Sequence, residues 1–521
     1  MKFRVPAWLV VIVPLAAILC FFYLGDPFPI DDKDSLKEAY RIETIQMPDG
    51  LNSEVGGVGF FPDGRLVACF HRGEVMTYNT KTKEWKLFAE GLHDPLGLLV
   101  VSDTEILVMQ QPELTSIKDT DGDGQADVYK SITDDFGISG NYHEFNYGPV
   151  KDKAGNLFIA LNTGSSGDGI RPEVRGELKL FGRDGEKGNK QMFSVVPYRG
   201  WVMKIAPDGR VTPYAMGLRS PNGIGFDVEG NLLIADNQGD WVATSALYHI
   251  EEGKFYGHPA SLVWKDNWDK RNPLQMPVPE LDAMRTKAAV LFPQGIMANS
   301  PAQILFDSTG GKFGPFENQL FIGEMNHERI VRVILERVDG ALQGACLPFI
   351  DGRGLRMGNN RLAFAPDGSM WVGQTDHGWA GAEGIQRIVY TGETPMDIYS
   401  MSLTEKGFDL TFTRPVDEDL ASDTANYHFR HYYYDYYKKD ATEPVDKAIQ
   451  MDVQSVAVTA INISSDGKKV SLTLSKLEPG YIYELKLKNI RSAGGRLLEN
   501  DLICYTLNNL RNRGVSEAKH P

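Results

Sequence analysis

The chain has 521 residues, with 69 Asp+Glu against 54 Lys+Arg for a net charge of −15, and it is 42% hydrophobic and 24% charged. Those values allow about two to four globular domains, or one repeat assembly with an appendage, and exclude long disorder or a collagen-like chain. The basic residues are scattered along an acidic chain, so the positive footprint that a phosphate backbone needs is missing and nucleic acid is excluded as a partner.

Ala7–Leu24 is a run of 18 uncharged residues with Lys2 and Arg4 before it and Asp26, Asp31 and Asp32 after it. Such an apolar helix is just long enough to span a bilayer, and its positive flank should stay cytoplasmic, which places the body outside, on the periplasmic side. A cleaved signal peptide is the rival reading, although no small-x-small site follows the run. A lipoprotein signal is disfavoured by Leu19 before Cys20. The cysteines at positions 20, 69, 346 and 504 contain no CxxC, which gives neither a disulfide framework nor a zinc site, and the absence of CxxCH excludes a c-type haem on this chain.

From residue 40 onward one unit repeats: an apolar strand, a turn with Asp-Gly or Gly-Asn, and a second apolar strand. Copies start at Gly57, Leu96, Tyr147, Asn222, Ala302 and Arg361, and their second strands start at Leu66, Ile106, Leu157, Leu232, Leu320 and Met370, spaced 40, 51, 75, 88 and 50 residues apart. The turn residues supply the positive φ that tight hairpins demand. A four-stranded blade takes about 40–50 residues, so residues 40–392 are expected to form an all-β, six-bladed β-propeller, with insertions at 164–199 and 256–297 and a short helix near Glu280–Ala289. Seven or eight blades is the minority alternative.

Strand parity then selects a functional face. The Asp-Gly turns lie on one side, so loops entering the first strand and leaving the second gather around the channel on the other. Entering are Glu54, His93, Asp94, His143, Glu144, Arg219, Ser220, Asn299, Ser300, Arg356 and Asn359. Leaving are His71, Gln110, Gln111, Asn162, the run Asp236 to Asp240 with Asn237 and Gln238, Asn326, His327, Asp376 and His377. A rim this polar points to binding or catalysis rather than to a purely structural axis. An imidazole at His143 can take a hydroxyl proton near neutral pH, with Glu144 or another carboxylate fixing its tautomer; a hydrogen-bonded structural histidine is the alternative. Arg219, in the same place one unit on, can clamp a carboxylate or polarise a carbonyl, or be a plain ion-pair partner.

On the opposite face, Asp119, Asp121, Asp123 and Asp127 stand at positions 1, 3, 5 and 9 of a loop with Gly124 at position 6, a spacing suited to Ca²⁺. Lys130 replaces the glutamate that would close an EF-hand at position 12, so the expected metal is structural and a solvated Asp-rich turn is the alternative.

Residues 396–510 leave the repeat. Alternating segments at Phe408–Phe412, Ser455–Val458, Val470–Leu474 and Tyr483–Leu487 predict a small immunoglobulin- or fibronectin-like β-sandwich. The tyrosine run 432–437 could stack on sugar or dock the sandwich against the propeller. Arg511 to Pro521 is expected to fray.

The stretches Gly217-Leu-Arg-Ser-Pro-Asn-Gly-Ile-Gly-Phe-Asp227, Ala235-Asp-Asn-Gln-Gly-Asp-Trp-Val242, Phe255-Tyr-Gly-His-Pro259, Gly311-Lys-Phe-Gly-Pro-Phe316 and Phe364-Ala-Pro-Asp-Gly368 resemble the pyrroloquinoline-quinone-dependent aldose and sorbosone dehydrogenases. They are similar above all to the membrane-bound dehydrogenases of environmental bacteria. The resemblance spans roughly residues 50–392. It implies oxidation of a sugar or related alcohol with pyrroloquinoline quinone (PQQ) and Ca²⁺ as cofactors, and electrons passed to a separate cytochrome or quinone. It further implies His143 and Arg219 as catalytic residues and Arg219 as a cofactor contact; rim position adds Asn237, Gln238 and His377 as expected cofactor contacts and His93, Asp94 and Gln110 as expected substrate contacts. Ser220 stands where the family often has Asn, and Gln374-Thr-Asp-His-Gly-Trp379 lacks the family's basic residues. A non-catalytic carbohydrate-binding or scaffold protein and a Ca²⁺-dependent lactonase are the alternative functions.

Overall fold

The computed structural model describes residues 38–165, 169–171, 174–180, 192–269, 271–377, 381–436 and 448–511. The apolar segment Ala7–Leu24, with its anchor and signal-peptide readings, lies outside them. Among the described residues no helix is long and apolar enough to cross a membrane.

Six four-stranded antiparallel sheets follow one another along the chain. Their first strands are Val55–Phe60, Gly97–Val100, Asn146–Lys151, Gly223–Phe226, Pro301–Phe306 and Asn359–Phe364. Each packs against the next, and the sixth packs against the first, so the ring is closed. The hairpin turns are built as their sequence dictates. Gly64 and Gly368 take φ of 91° and 88°, and the Asp63 and Asp367 carboxylates accept the N–H two residues on. Glycines at the channel end of the first strands have a different cause. A Cβ at Gly97 would lie 1.7 Å from the Gly148 carbonyl oxygen, and one at Gly223 would lie 2.1 Å from that of Ala302, so neighbouring strands meet backbone to backbone.

The outermost strand of the sixth sheet is Tyr40–Ile45, paired with Gly384–Tyr390 from the other end of the ring. The insertions lie where the long spacings place them. The first carries a two-stranded pair, Gly164–Ser165 with Met192–Phe193. The second holds two 3₁₀ turns and one short helix, Val278–Met284, which starts earlier and ends sooner than expected because Pro277 and Pro279 fix its entry and the chain turns extended at Arg285.

The carboxyl-terminal strands form a sandwich over one core that includes Phe408, Phe429, Leu472, Tyr483 and Tyr505. One of its sheets is not separate. Ala341–Phe349, the outer strand of the fifth sheet, pairs with Leu502–Leu507, which makes a continuous eight-stranded sheet. Cys346 stands directly opposite Cys504 across that seam. The expected strand Ser455–Val458 is instead split at Ala457 between Met451–Val456 and Val458–Ile463, which belong to different sheets. Behind the seam, Arg332 is fully buried against Asp397 at 2.9 Å, and Asp397 also accepts from Asn500.

The tyrosine run serves docking. Tyr432 shares an apolar core with Leu233, Leu247 and Val290 of the fourth sheet while its hydroxyl donates to Glu484 within the sandwich at 2.9 Å, and Tyr436 donates to the Gly257 carbonyl while the Arg285 guanidinium lies 4.7 Å from its ring. Tyr437 is outside the described residues. Arg511 does not fray: its side chain bonds the Leu403 carbonyl and Glu336.

Candidate active site at the ring axis

Residues from all six sheets line one small cavity on the axis, with a volume of about 40 Å³; among them are His71, His143, Ser220, Asn237, Ser300 and His377. Below it the channel is filled by Arg361. Its guanidinium donates to the carbonyls of Gly56 and Leu96 and to Asn222 and Asn360, and lies 5.5 Å from the Tyr147 ring. Burial lowers its pKa to about 10. The sequence signal was present, an arginine at the start of an innermost strand, but nothing in a hairpin pattern distinguishes an axial plug from a surface residue.

His143 and Arg219 come together. The His143 Nδ1 lies 3.1 Å from the Thr163 carbonyl oxygen, and Thr163 in turn donates its N–H and hydroxyl to the Arg219 carbonyl. A carbonyl can only accept, so Nδ1 carries the proton and Nε2 is left as the acceptor. Burial, followed by the nearby Arg219 charge, lowers the His143 pKa to about 4. The imidazole is therefore neutral at physiological pH. Glu144, expected to fix this tautomer, faces away and is fully buried, accepting from the Ser139 N–H and hydroxyl at 2.7 and 2.6 Å. The Thr163 carbonyl takes its place.

Arg219 is held from below. Its Nε lies 3.2 Å from Asp240, which also accepts from His258 at 3.1 Å and from the Met192 N–H at 2.6 Å. These donors outweigh burial and hold the Asp240 carboxyl well below its usual range. A Cβ on Gly239 would lie 2.0 Å from the Arg219 Nε, so glycine there lets the guanidinium lie flat against the loop. Asp236 accepts from the Arg219 and Ser220 N–H groups at 3.0 and 2.7 Å. A Ca²⁺ ion placed near Asp236 to Asp240 would have to compete with all of these donors.

Several rim residues turn out to be loop clamps. Gln110, expected to meet substrate, accepts from the His93 N–H and donates to Thr115, so both ends of its amide are used internally. Glu324, unpredicted and fully buried, accepts from the N–H groups of Asn299, Ser300 and His327 and from the His327 ring. Asn359 donates to three carbonyls of the preceding loop. Asp236, Glu324 and Gln110 thus repeat one device in three sheets, a side chain at the end of the second strand that ties down the loop entering the first.

His71, Asp94 and His377 differ. The His71 Nδ1 lies 2.8 Å from Asp94, its Nε2 is buried with no partner, and its ring stacks on that of His377 at 4.1 Å. Behind His377, Glu54 is 3.8 Å away, and Glu54, Asp376 and Glu383 crowd together. Burial and a hydrogen bond that the protonated Glu54 donates to Asp376 raise the Glu54 pKa. His93 lies at the edge, its Nε2 2.7 Å from Gln111. Asn237 lines the cavity with its side-chain oxygen unpartnered, and the Gln238 side-chain oxygen is likewise buried without a partner.

On the far face, Asp119, Asp121 and Asp127 bring one carboxylate oxygen each within 4.8 Å of the others, while Asp123 caps the Gln125 N–H. Asp119 is buried and accepts from Gly122 and Gly124. The loop joins the third and fourth strands of the second sheet, as parity requires.

The chain belongs to the family described as a domain of unknown function (DUF7133), whose model matches residues 77–377. No curated protein matches it. Among solved structures it is similar to an oxidoreductase (glucose dehydrogenase) of Thermus thermophilus, at 14% identity and a TM-score of 0.48, over 67% of this chain and 100% of that one. It is also similar to the PQQ-bound aldose sugar dehydrogenase of Streptomyces coelicolor, at 14% identity and 0.45, over 67% and 98%. A third is the soluble aldose sugar dehydrogenase of Escherichia coli in its apo-form, at 14% and 0.46, over 67% and 99%.

Proposed function

We propose that the six sheets are the blades of a β-propeller and that the axial cavity oxidises a hydroxyl-bearing carbon of a sugar or polyol, with His143 as the base. The observation that carries this is the neutral, tautomer-fixed His143 lining a cavity that Asn237 also lines with an unpartnered side-chain oxygen. The oxygens of Asn162, Asn237 and Gln238 are buried without donors, a set that suits a ligand rich in O–H groups.

The residues present also fit PQQ, a flat polycarboxylate. Arg219 borders the small pocket next to the axial cavity, with Asn237 common to both, and Asp240 engages only its Nε. The Arg356 guanidinium bonds only the side-chain oxygen of Gln374, has no carboxylate partner among the described residues, and keeps a buried, unpartnered Nε. These two side chains, with Asn237, would hold it, and when bound it supplies the hydride acceptor. The chain's own work is then positional and acid–base. Thr163 keeps the His143 Nε2 unprotonated, Asp240 and Gly239 hold Arg219 in place, and Arg361 closes the channel floor against bulk water. The body acts outside the cytoplasm, with the amino-terminal apolar segment as anchor or signal, and passes electrons to a separate acceptor.

The test is to reconstitute the purified protein with PQQ and Ca²⁺ and assay dye-linked oxidation of a panel of aldoses and polyols. Turnover dependent on PQQ is expected. Sugar binding without turnover would indicate a scaffold, and lactone hydrolysis without the quinone would indicate a hydrolase.

A further inference from the structure

We propose that His71, Asp94 and His377 bind one divalent transition-metal ion at the mouth of the axial cavity. The three come from neighbouring sheets. His71 follows the second strand of the first sheet, Asp94 precedes the first strand of the second, and His377 follows the second strand of the sixth. One ring nitrogen of each histidine and one Asp94 carboxylate oxygen lie within 4.8 Å of one another.

Two further observations point to a ligand. The His71 side chain is only 5% exposed and borders the cavity, and its Nδ1 faces the Asp94 carboxylate at 2.8 Å with no other partner, close to the spacing of two ligands on one ion. Asp94 sits in the left-handed region at φ 48°, a conformation that aims its carboxylate at the His71 ring. The electrostatic surroundings agree. Glu54, Asp376 and Glu383 stand beside the histidines, and among the described residues no Lys or Arg pairs with any of them or with Asp94. Four carboxylates against two imidazoles leave a deficit of positive charge that one divalent ion would offset.

Ligand chemistry chooses the metal. Two imidazoles and one carboxylate form the set used for Zn²⁺, Mn²⁺ or Fe²⁺ rather than the all-oxygen set of Ca²⁺, so this site is distinct from the Asp119 loop. Ligands about 2.1 Å from an ion stand roughly 3.0–3.4 Å apart, so the rings must leave their stacked arrangement to close on it. His377, with its side chain 36% exposed, is the one free to rotate. Three protein ligands leave a coordination position facing the cavity, where a substrate oxygen or water could enter.

The experiment uses the full-length protein stripped with a chelator and titrated with Co²⁺, followed by visible absorption and by metal content. One equivalent should bind with the absorption of a nitrogen- and oxygen-ligated ion and be displaced by Zn²⁺. His377→Ala should weaken binding at least tenfold, and His71→Ala likewise if it folds; His428→Ala, on the sandwich, should change nothing. Full-affinity Co²⁺ binding by a folded His377→Ala variant, or saturation by Ca²⁺ in preference to Co²⁺, would overturn the assignment. Because no substrate or quinone is present, this result is independent of whether the protein proves to be a dehydrogenase.

Discussion

The two halves of the cavity mouth are built on opposite electrostatic terms. On the side of the third and fourth sheets, Asp236 and Asp240 between them receive donors from Arg219, Ser220, His258 and Met192. On the side of the sixth, first and second sheets, Glu54, Asp94, Asp376 and Glu383 crowd around two imidazoles with no Lys or Arg paired to them among the described residues. The first arrangement is closed and fixes its side chains in place. The second is incomplete as protein alone, and incompleteness in a buried polar network points to a missing cation.

Breaking the closed half should have the largest effect. Asp240→Asn removes the negative charge beneath Arg219 and His258 and is expected to cost about 3 kcal/mol in denaturant unfolding, as loss of one partner from a buried ion pair does. The pH dependence follows from the direction of its shift. The folded-state pKa of Asp240 is depressed, so its stabilisation is present above the unfolded value near 3.9 and lost as pH falls below it. The variant should lose that acid sensitivity, which unfolding curves at pH 3 and pH 6 would reveal.

Next comes the guanidinium. Gly239→Ala should push Arg219 aside and raise the apparent Kd for PQQ about tenfold or more, with the fold unchanged by circular dichroism. Unaltered affinity would show that Arg219 does not contact the cofactor.

A subtler prediction concerns pH and rate. With the His143 pKa lowered to about 4, the base is already deprotonated at neutral pH, so kcat/KM should stay flat from about pH 8 down to about pH 5 as far as this group is concerned. A fall centred near the ordinary histidine value of about 6.5 would assign the base elsewhere.

The smallest effect belongs to the open half, and its sign is reversed. Glu54 has a raised folded-state pKa, so ionising it on folding is unfavourable and stability is lost as pH rises above its unfolded value. In metal-free protein Glu54→Gln should leave stability unchanged or raise it by up to about 1 kcal/mol at pH 7. A marked loss would mean that the carboxylate has a cationic partner.

Much of the ring could be read from the chain because its hairpins combine turn chemistry with strand alternation, signals that span only a dozen residues each. Parity then carried His71, His143, Arg219 and His377 to one face without any contact information. What escaped has a common cause, partners distant in sequence. Tyr40–Ile45 is an ordinary alternating strand until Gly384–Tyr390 arrives beside it. Ala341–Phe349 is buried along nearly its whole length because the sandwich continues its sheet. Cysteine spacing gave no hint that Cys346 and Cys504 would face each other. Within the site, composition could not separate Gln110 and Glu324, which clamp loops, from His71 and Asn237, which keep unpartnered polar atoms at the cavity. That distinction depends on whether a particular N–H lies within reach, and residue type does not encode it.

If His143 acts on a hydroxyl while the quinone is bound beside it, single-turnover spectroscopy will register this most directly. Protein loaded with PQQ is mixed with a competent aldose or polyol, and reduction of the bound quinone is followed by absorbance in wild type and in His143→Ala. The expected result is equal quinone loading in both and reduction slowed by about 10²–10⁴-fold in the variant. Equal rates in the two proteins, or no specific loading of the wild type, would contradict it.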